Sequence, residues 1–127
     1  MICTGVIAQK GTGITIGDGC GITIGVYLAG QGGIKIGKNV IIGPFTKILS
    51  ENHNFSNPDI LIKDQGVARK GIEIGDNCWI GSGVTVLDGV IVGEGCVIAA
   101  GAVVTKSAPP NCVLAGVPAK VTKNRTS

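Results

Sequence analysis

The chain holds a single histidine, His53, set in the polar run Ser50-Glu51-Asn52-His53-Asn54-Phe55. Imidazole is the side chain that ordinarily exchanges protons near neutral pH, which suits a general base acting on a hydroxyl. Glu51 is close enough in sequence to orient the ring, and a backbone group would serve equally well. A lone histidine is also a common surface residue, and its position in the chain leaves both readings open. One histidine does exclude a catalytic zinc held by three imidazoles. The five cysteines contain no Cys-x-x-Cys pair, so no metal site is expected. After Glu94 no acidic residue follows, whereas Lys106, Lys120, Lys123 and Arg125 do. That end suits a small anionic ligand, or is a solvated basic tail. A net charge of +3 with 3% aromatic residues does not make a nucleic-acid surface, and no nucleic-acid partner is expected.

The elements that must position these groups follow a period of six. Ile or Val recurs at Ile74, Ile80, Val86, Val92, Ile98 and Val104, in phase with Ile36, Ile42 and Ile48 upstream. A strict repeat of this kind marks a solenoid rather than a globular core. Six is even, so positions one, three and five of each unit fall on the same side of an extended strand. Position one is aliphatic. Position five is small or medium: Cys78, Val84, Val90, Cys96, Ala102, Ala108. Position four is mostly Gly or Asn, which tolerate a left-handed backbone and allow each unit to turn a corner. The 22 glycines and the scarcity of aromatics agree with this. If three units make a coil, Cys78 and Cys96 stack about 4.8 Å apart, as small buried packing residues.

The chain reads as one domain over residues 1–127. Residues 1–35 carry the repeat loosely. The Ile-Gly pair at Ile16 recurs at Ile36, so one corner holds about two extra residues, placed in the Gly30 to Gly33 stretch. The register stops over residues 49–71, a polar, proline-containing segment that reads as a loop thrown out from one corner, and such loops commonly carry function. Regular coils resume over 72–109, and 110–127 forms a short apolar segment with a polar tail. The start of the chain has no signal-peptide core, and no apolar run reaches the roughly 18 to 20 residues of a membrane helix. A cytoplasmic protein without a membrane span is expected.

Taken together, the hexads at 36–48 and 74–108, the Ser-Glu-Asn-His-Asn-Phe loop, IGDNCWIGSGV, VIAAGAVVTK and AGVPAKV resemble the hexapeptide-repeat acyltransferases. They are most similar to the galactoside, maltose and polysaccharide O-acetyltransferase branch. The resemblance implies an all-β fold, a single-stranded left-handed parallel β-helix of triangular section with one extruded loop. It implies a homotrimer, with acetyl-CoA as co-substrate held between neighbouring subunits and no metal. It places His53 at the catalytic position and Trp79 beside the cleft. Ser82, Ala100, Thr105 and Lys106 line the CoA channel, and Lys123 lies near the nucleotide phosphates. Gln31 falls where sugar-acetylating relatives have an acceptor-binding Asp, and Thr23 where they have Asn, so simple galactosides or maltose fit less well as acceptors.

The reaction this implies is direct acetyl transfer to a hydroxyl of a sugar or glycan precursor, with His53 as base and a backbone N–H near Ser82 as oxyanion donor. Two other classes stay open. One is an N-acetyltransferase acting on an amino-sugar. The other is a non-catalytic structural solenoid, in which Trp79 only packs against the loop and Lys106 is only a solvated charge.

Overall fold

The computed structural model describes Ile2, Ile7–Ala8 and residues 13–126. Expectations for the rest of the first coil, and for Cys3, fall outside the described residues. The strands are short: β1 (Ile7–Ala8), β2 (Ile14–Ile16), β3 (Gly21–Ile22), β4 (Tyr27–Ala29), β5 (Ile34–Ile36), β6 (Ile41–Ile42) and β7 (Lys47–Leu49). An excursion then holds β8 (Asn52–His53), a single 3₁₀ turn at Ile62–Asp64 and β9 (Val67–Ala68). The coil resumes with β10 (Ile72–Ile74), β11 (Trp79–Ile80), β12 (Thr85–Val86), β13 (Ile91–Val92), β14 (Val97–Ile98) and β15 (Val103–Val104), and closes with β16 (Cys112–Ala115) and β17 (Lys120–Asn124).

Apart from the β8–β9 ribbon and β17, each strand pairs in parallel with the strand one coil away, which generates three faces. The first face is β2-β5-β10-β13. The second is β3-β6-β11-β14-β16-β17, and the third is β1-β4-β7-β12-β15. The chain visits first, second, third and then first again, so the molecule is a triangular prism. It is a left-handed parallel β-helix. Ile16 pairs with Ile36 but Ile74 with Val92, a step of 20 residues against 18. The two extra residues sit at the corner containing Gly30 to Gly33, where the repeat pattern put them.

The buried column is what the hexad prescribes. Ile36, Ile42, Ile48, Ile74, Ile80, Val86, Val92, Ile98 and Val104 are buried, as are the position-five residues Cys78, Val84, Val90, Cys96, Ala102 and Ala108. Position three departs from simple alternation: Asp76, Ser82, Glu94 and Ala100 face solvent. The reason lies one residue on. Asn39, Asn77, Asn111, Gly83, Gly89, Gly95 and Gly101 all adopt positive φ, and the left-handed residue breaks the extended alternation between positions three and five. Phe45 occupies the same corner position at φ +60, which for a bulky side chain typically costs about 1–2 kcal/mol.

The described cysteines form no disulfide with one another and lie in one corner column. Cys78 donates to the carbonyl of Gly93 at 3.3 Å, and Cys96 to that of Pro109 at 3.1 Å. Burial pushes the Cys78 thiol up to about 11 and raises that of Cys96, so both stay protonated near neutral pH.

The last segment is more ordered than its sequence pattern suggests. Strand β16 continues the second face parallel to β14, and β17 folds back antiparallel along it. Arg125 ties this hairpin to the coil through a 2.9 Å bond from Nη1 to the Gly95 carbonyl.

Candidate active site

The excursion that carries His53 leaves the edge between the third and first faces, and both of its roots are pinned to the coils. At the outgoing root, the buried hydroxyl of Ser50 donates to the Ala29 carbonyl at 2.6 Å and accepts from Gly32 N–H at 2.9 Å. At the returning root, Asp88 from the next coil accepts from the N–H groups of Lys70 and Gly71, each at 2.8 Å. Between them β8 and β9 form a two-residue antiparallel ribbon, with Asn52 opposite Ala68 and His53 opposite Val67. Beyond the ribbon, Gln65 braces the tip. Its amide nitrogen donates to the carbonyls of Asn57 at 2.8 Å and Ile60 at 2.7 Å, and its oxygen accepts from Asn57 N–H at 3.2 Å.

The imidazole of His53 is exposed and has no side-chain hydrogen bond among the described residues. Glu51 does not orient it. The Glu51 carboxylate is engaged by Arg69 across the ribbon, with Nε to Oε2 at 2.8 Å. The correction has a simple cause: antiparallel pairing sets Arg69 directly opposite Glu51, while His53 lies two residues along the strand.

The remaining predicted residues divide into two groups. Gln31 is half-buried at the same third–first edge as His53, and Thr105 and Lys106 stand exposed where that edge passes β15. Ser82 and Ala100 are exposed at the opposite end of the third face, on the edge where it meets the second. Trp79 lies on the second face, 57% exposed, stacked between Ile41 below and Val97 above. Lys123, exposed on β17, is the last rung of that face, opposite Val113. The two groups are thus separated by one face. At about 3.3 Å per residue, six residues span roughly 20 Å.

The Ser82 corner is chemically bare. The N–H of Gly81 is committed to the Ile98 carbonyl at 2.8 Å and that of Gly83 to the Pro44 carbonyl at 2.9 Å. The N–H of Ser82 between them is the donor that the coil-to-coil ladder does not use. Below it lies Gly43, where an added Cβ would come within 2.6 Å of Ser82 N. Among the described residues no cluster of three or more His, Cys, Asp or Glu side chains comes together as a metal site. Among the described residues no helix is long and apolar enough to cross a membrane.

Sequence reasoning missed Arg69, Asp88, Gln65 and Phe45. The roles of the first three depend on which residues the excursion brings opposite one another, and a break in a repeat carries no register; Phe45 lies in the coils, at a corner the repeat otherwise gives to Gly or Asn.

Comparison with known proteins agrees with the repeat. Residues 71–106 match the model for the bacterial transferase hexapeptide, six repeats. These residues carry the hexapeptide repeat of that transferase family. Galactoside O-acetyltransferase of Escherichia coli K12 is 36% identical over 116 residues, covering 91% of this chain and 56% of that protein. The crystal structure of a maltose O-acetyltransferase from Clostridium difficile superposes with a TM-score of 0.88 at 32% identity, covering 95% of this chain and 64% of that one. A hexapeptide-repeat acetyltransferase from Vibrio cholerae, solved with acetyl-CoA, superposes at 0.87 with 31% identity, covering 94% and 64%. The chain spans about half the length of the curated relatives it matches.

Proposed function

We propose that the hexapeptide-repeat chain is an acetyl-CoA-dependent O-acetyltransferase whose site forms between two copies, within a homotrimer, and acts on a hydroxyl of a sugar or glycan precursor. The observation that carries this is the separation of His53 from Ser82 by a whole face. One prism cannot bring both to one thioester, whereas the His53 edge of one copy set against the Ser82 edge of the next can. The trimer itself is what the family resemblance implies. The names of the relatives, galactoside and maltose O-acetyltransferase, support a sugar acceptor. The reaction is assigned to the cytoplasm, one compartment that supplies acetyl-CoA.

In this reading the Nζ groups of Lys106 and Lys123 meet CoA phosphates, and Ala100 and Thr105 flank the pantetheine arm. Trp79 walls the cleft, with Gln31 and Glu51 on the acceptor side. His53 removes the proton from the acceptor hydroxyl as its oxygen bonds to the thioester carbon. The N–H of Ser82 faces the oxyanion that forms. Collapse of the tetrahedral intermediate breaks the carbon–sulfur bond, and the proton held by His53 goes to the CoA sulfur. Products are the O-acetyl ester and free CoA. The buried, protonated Cys78 and Cys96 take no part.

The test is release of the CoA thiol from acetyl-CoA in the presence of a panel of sugars and amino-sugars, with light scattering in parallel. A trimer that releases CoA and yields an alkali-labile ester is expected. A monomer mass, or no thiol release with any acceptor, would sink the proposal, and an amide product would move it to N-acetylation.

A further inference from the structure

Phe45 stands out on the edge between the second and third faces. Its corner position is filled by Gly25, Gly83 and Gly101 in the neighbouring coils, all at positive φ. The other non-glycine residues with positive φ among those described are Asn39, Asn77 and Asn111. The repeat thus uses Gly or Asn here, and Phe is the exception. Core packing does not account for it: the side chain is 61% exposed and lies over Gly25, whose corner has no room for a Cβ beneath the ring. Strain of this kind persists where the surrounding structure imposes it, and it concentrates at ligand sites.

The position suggests the ligand. The bond from Gly83 N–H to the Pro44 carbonyl at 2.9 Å sets the Pro44-Phe45 corner directly beneath Ser82. Ala100 stands one coil above Ser82 on this same edge, and Lys123 lies on the last rung of the adjoining second face. In the two-copy reading Lys106 comes from the third–first edge of the neighbouring copy, so CoA runs down this edge from the C-terminal coils and its thioester ends at Ser82. Phe45 is one coil further, about 4.8 Å, on the side from which an acceptor approaches. The polar groups beside and below it are engaged, the Lys47 ammonium with the Phe45 carbonyl itself at 3.3 Å. The Thr23 hydroxyl is engaged with the Ile42 carbonyl at 2.8 Å, and Ile24 is 54% exposed. An aromatic face is apolar and carries partial negative charge. A pyranose ring offers the complement, a face of electropositive C–H groups with its hydroxyls directed sideways.

We propose that Phe45 is an acceptor-specificity residue whose ring stacks on the C–H face of a pyranose. The inference rests on the acetyl-transfer reading of the same edge. The experiment titrates methyl β-D-galactopyranoside, methyl β-D-glucopyranoside and the open-chain galactitol into the CoA complex, followed by NMR. The pyranosides are expected to shift the Phe45 ring resonances and to show upfield ring-current shifts of their own axial protons, and galactitol to do neither. Phe45→Asn and Phe45→Gly should abolish both shifts with a thermal midpoint equal to or above that of the wild type, because both residues suit a left-handed backbone. Phe45→Tyr should restore them. In turnover, Phe45→Asn should raise the pyranoside KM about 3- to 10-fold, the scale of one aromatic contact, and leave the acetyl-CoA KM unchanged. Pyranosides that leave the Phe45 ring silent, or that bind Phe45→Asn as they bind the wild type, overturn the proposal. The parent reading fails separately: a chain that stacks pyranosides but releases no CoA keeps this role for Phe45 and loses acetyl transfer.

Discussion

The coils over 72–104 and the excursion over 51–70 are built on opposite principles. In the coils every unit repeats the last. Aliphatic residues fill the interior, backbone groups pair with the coil above and below, and side chains contribute few hydrogen bonds. In the excursion the apolar residues face outward. Phe55 is 72% exposed, Leu61 64%, and Ile62 55%. Order comes instead from individual polar contacts, those of Gln65, Ser50 and Asp88. A repeat specifies a rigid body cheaply but offers the same surface at every level. Chemistry that needs one particular imidazole in one place requires a segment that leaves the repeat and is fastened by its own contacts.

The largest expected effect separates the two by stability. Ile80→Ala removes a fully buried side chain from the column and should cost about 2–5 kcal/mol. Ile62→Ala, on the excursion, should change stability by no more than about 0.5 kcal/mol. Denaturant melts of both variants at one protein concentration check this, since assembly ties stability to concentration. Equal costs would mean that the excursion is buried in the assembled protein and that the contrast belongs to the single chain alone.

His53→Ala should invert the pattern. An exposed residue carries little packing energy, so the thermal midpoint should stay within a few degrees while kcat falls by at least about 10²-fold. Retention of most transferase activity would assign proton removal to another group.

The same contrast governs what could be read from the sequence. The column from Ile36 to Val104, the corner residues Asn39, Asn77 and Gly83 to Gly101, and the longer corner at Gly30 to Gly33 were all legible, because a period repeats its evidence in every unit. The excursion was legible only as an interruption. The ribbon of Asn52–His53 with Val67–Ala68 is two residues long and has no alternation to detect. Consequently the pairing of Glu51 with Arg69 and the reach of Asp88 to Lys70 could not be foreseen. The β16–β17 hairpin escaped for a related reason. Its strands extend a face already laid down, so they need no hexad signature of their own. Phe45 breaks the corner rule, and sequence alone gives no sign that its backbone obeys the geometry while its side chain does not.

Asp88 offers a way to loosen the excursion without touching it. The residue belongs to the coils, yet its carboxylate holds the returning root through two backbone N–H groups. Asp88→Ala should cost about 0.5–2 kcal/mol, on the scale of losing a side-chain cap on free backbone donors. It should also lower kcat severalfold, with acetyl-CoA affinity nearly unchanged. Amide exchange of residues 66–71 should accelerate while that of the coils does not. If exchange rose uniformly, the excursion would be part of the coil's cooperative unit.

The smallest effect concerns the ion pair inside the excursion. Arg69 and Glu51 sit at 2.8 Å, but their side chains are 53% and 23% exposed. Water screens such a pair, and fixing two long side chains costs entropy, so a double-mutant cycle should return about 0.2–1 kcal/mol of coupling. The coupling should shrink as salt rises past the physiological range. The pair's larger influence is geometric. It closes the ribbon two residue pairs before His53, so Arg69→Ala should widen the conformational spread of β8 more than it lowers the melting temperature. That predicts a fall in kcat of a few fold, with the thermal midpoint moved by no more than a degree or two. A coupling that survived high salt would show that the pair is shielded from water, as it would be if a second copy of the chain covered this edge in the assembled protein. Light scattering on the Glu51→Ala, Arg69→Ala variant then decides the matter. An unchanged mass leaves the pair as a local brace, and dissociation makes it part of the interface that completes the site.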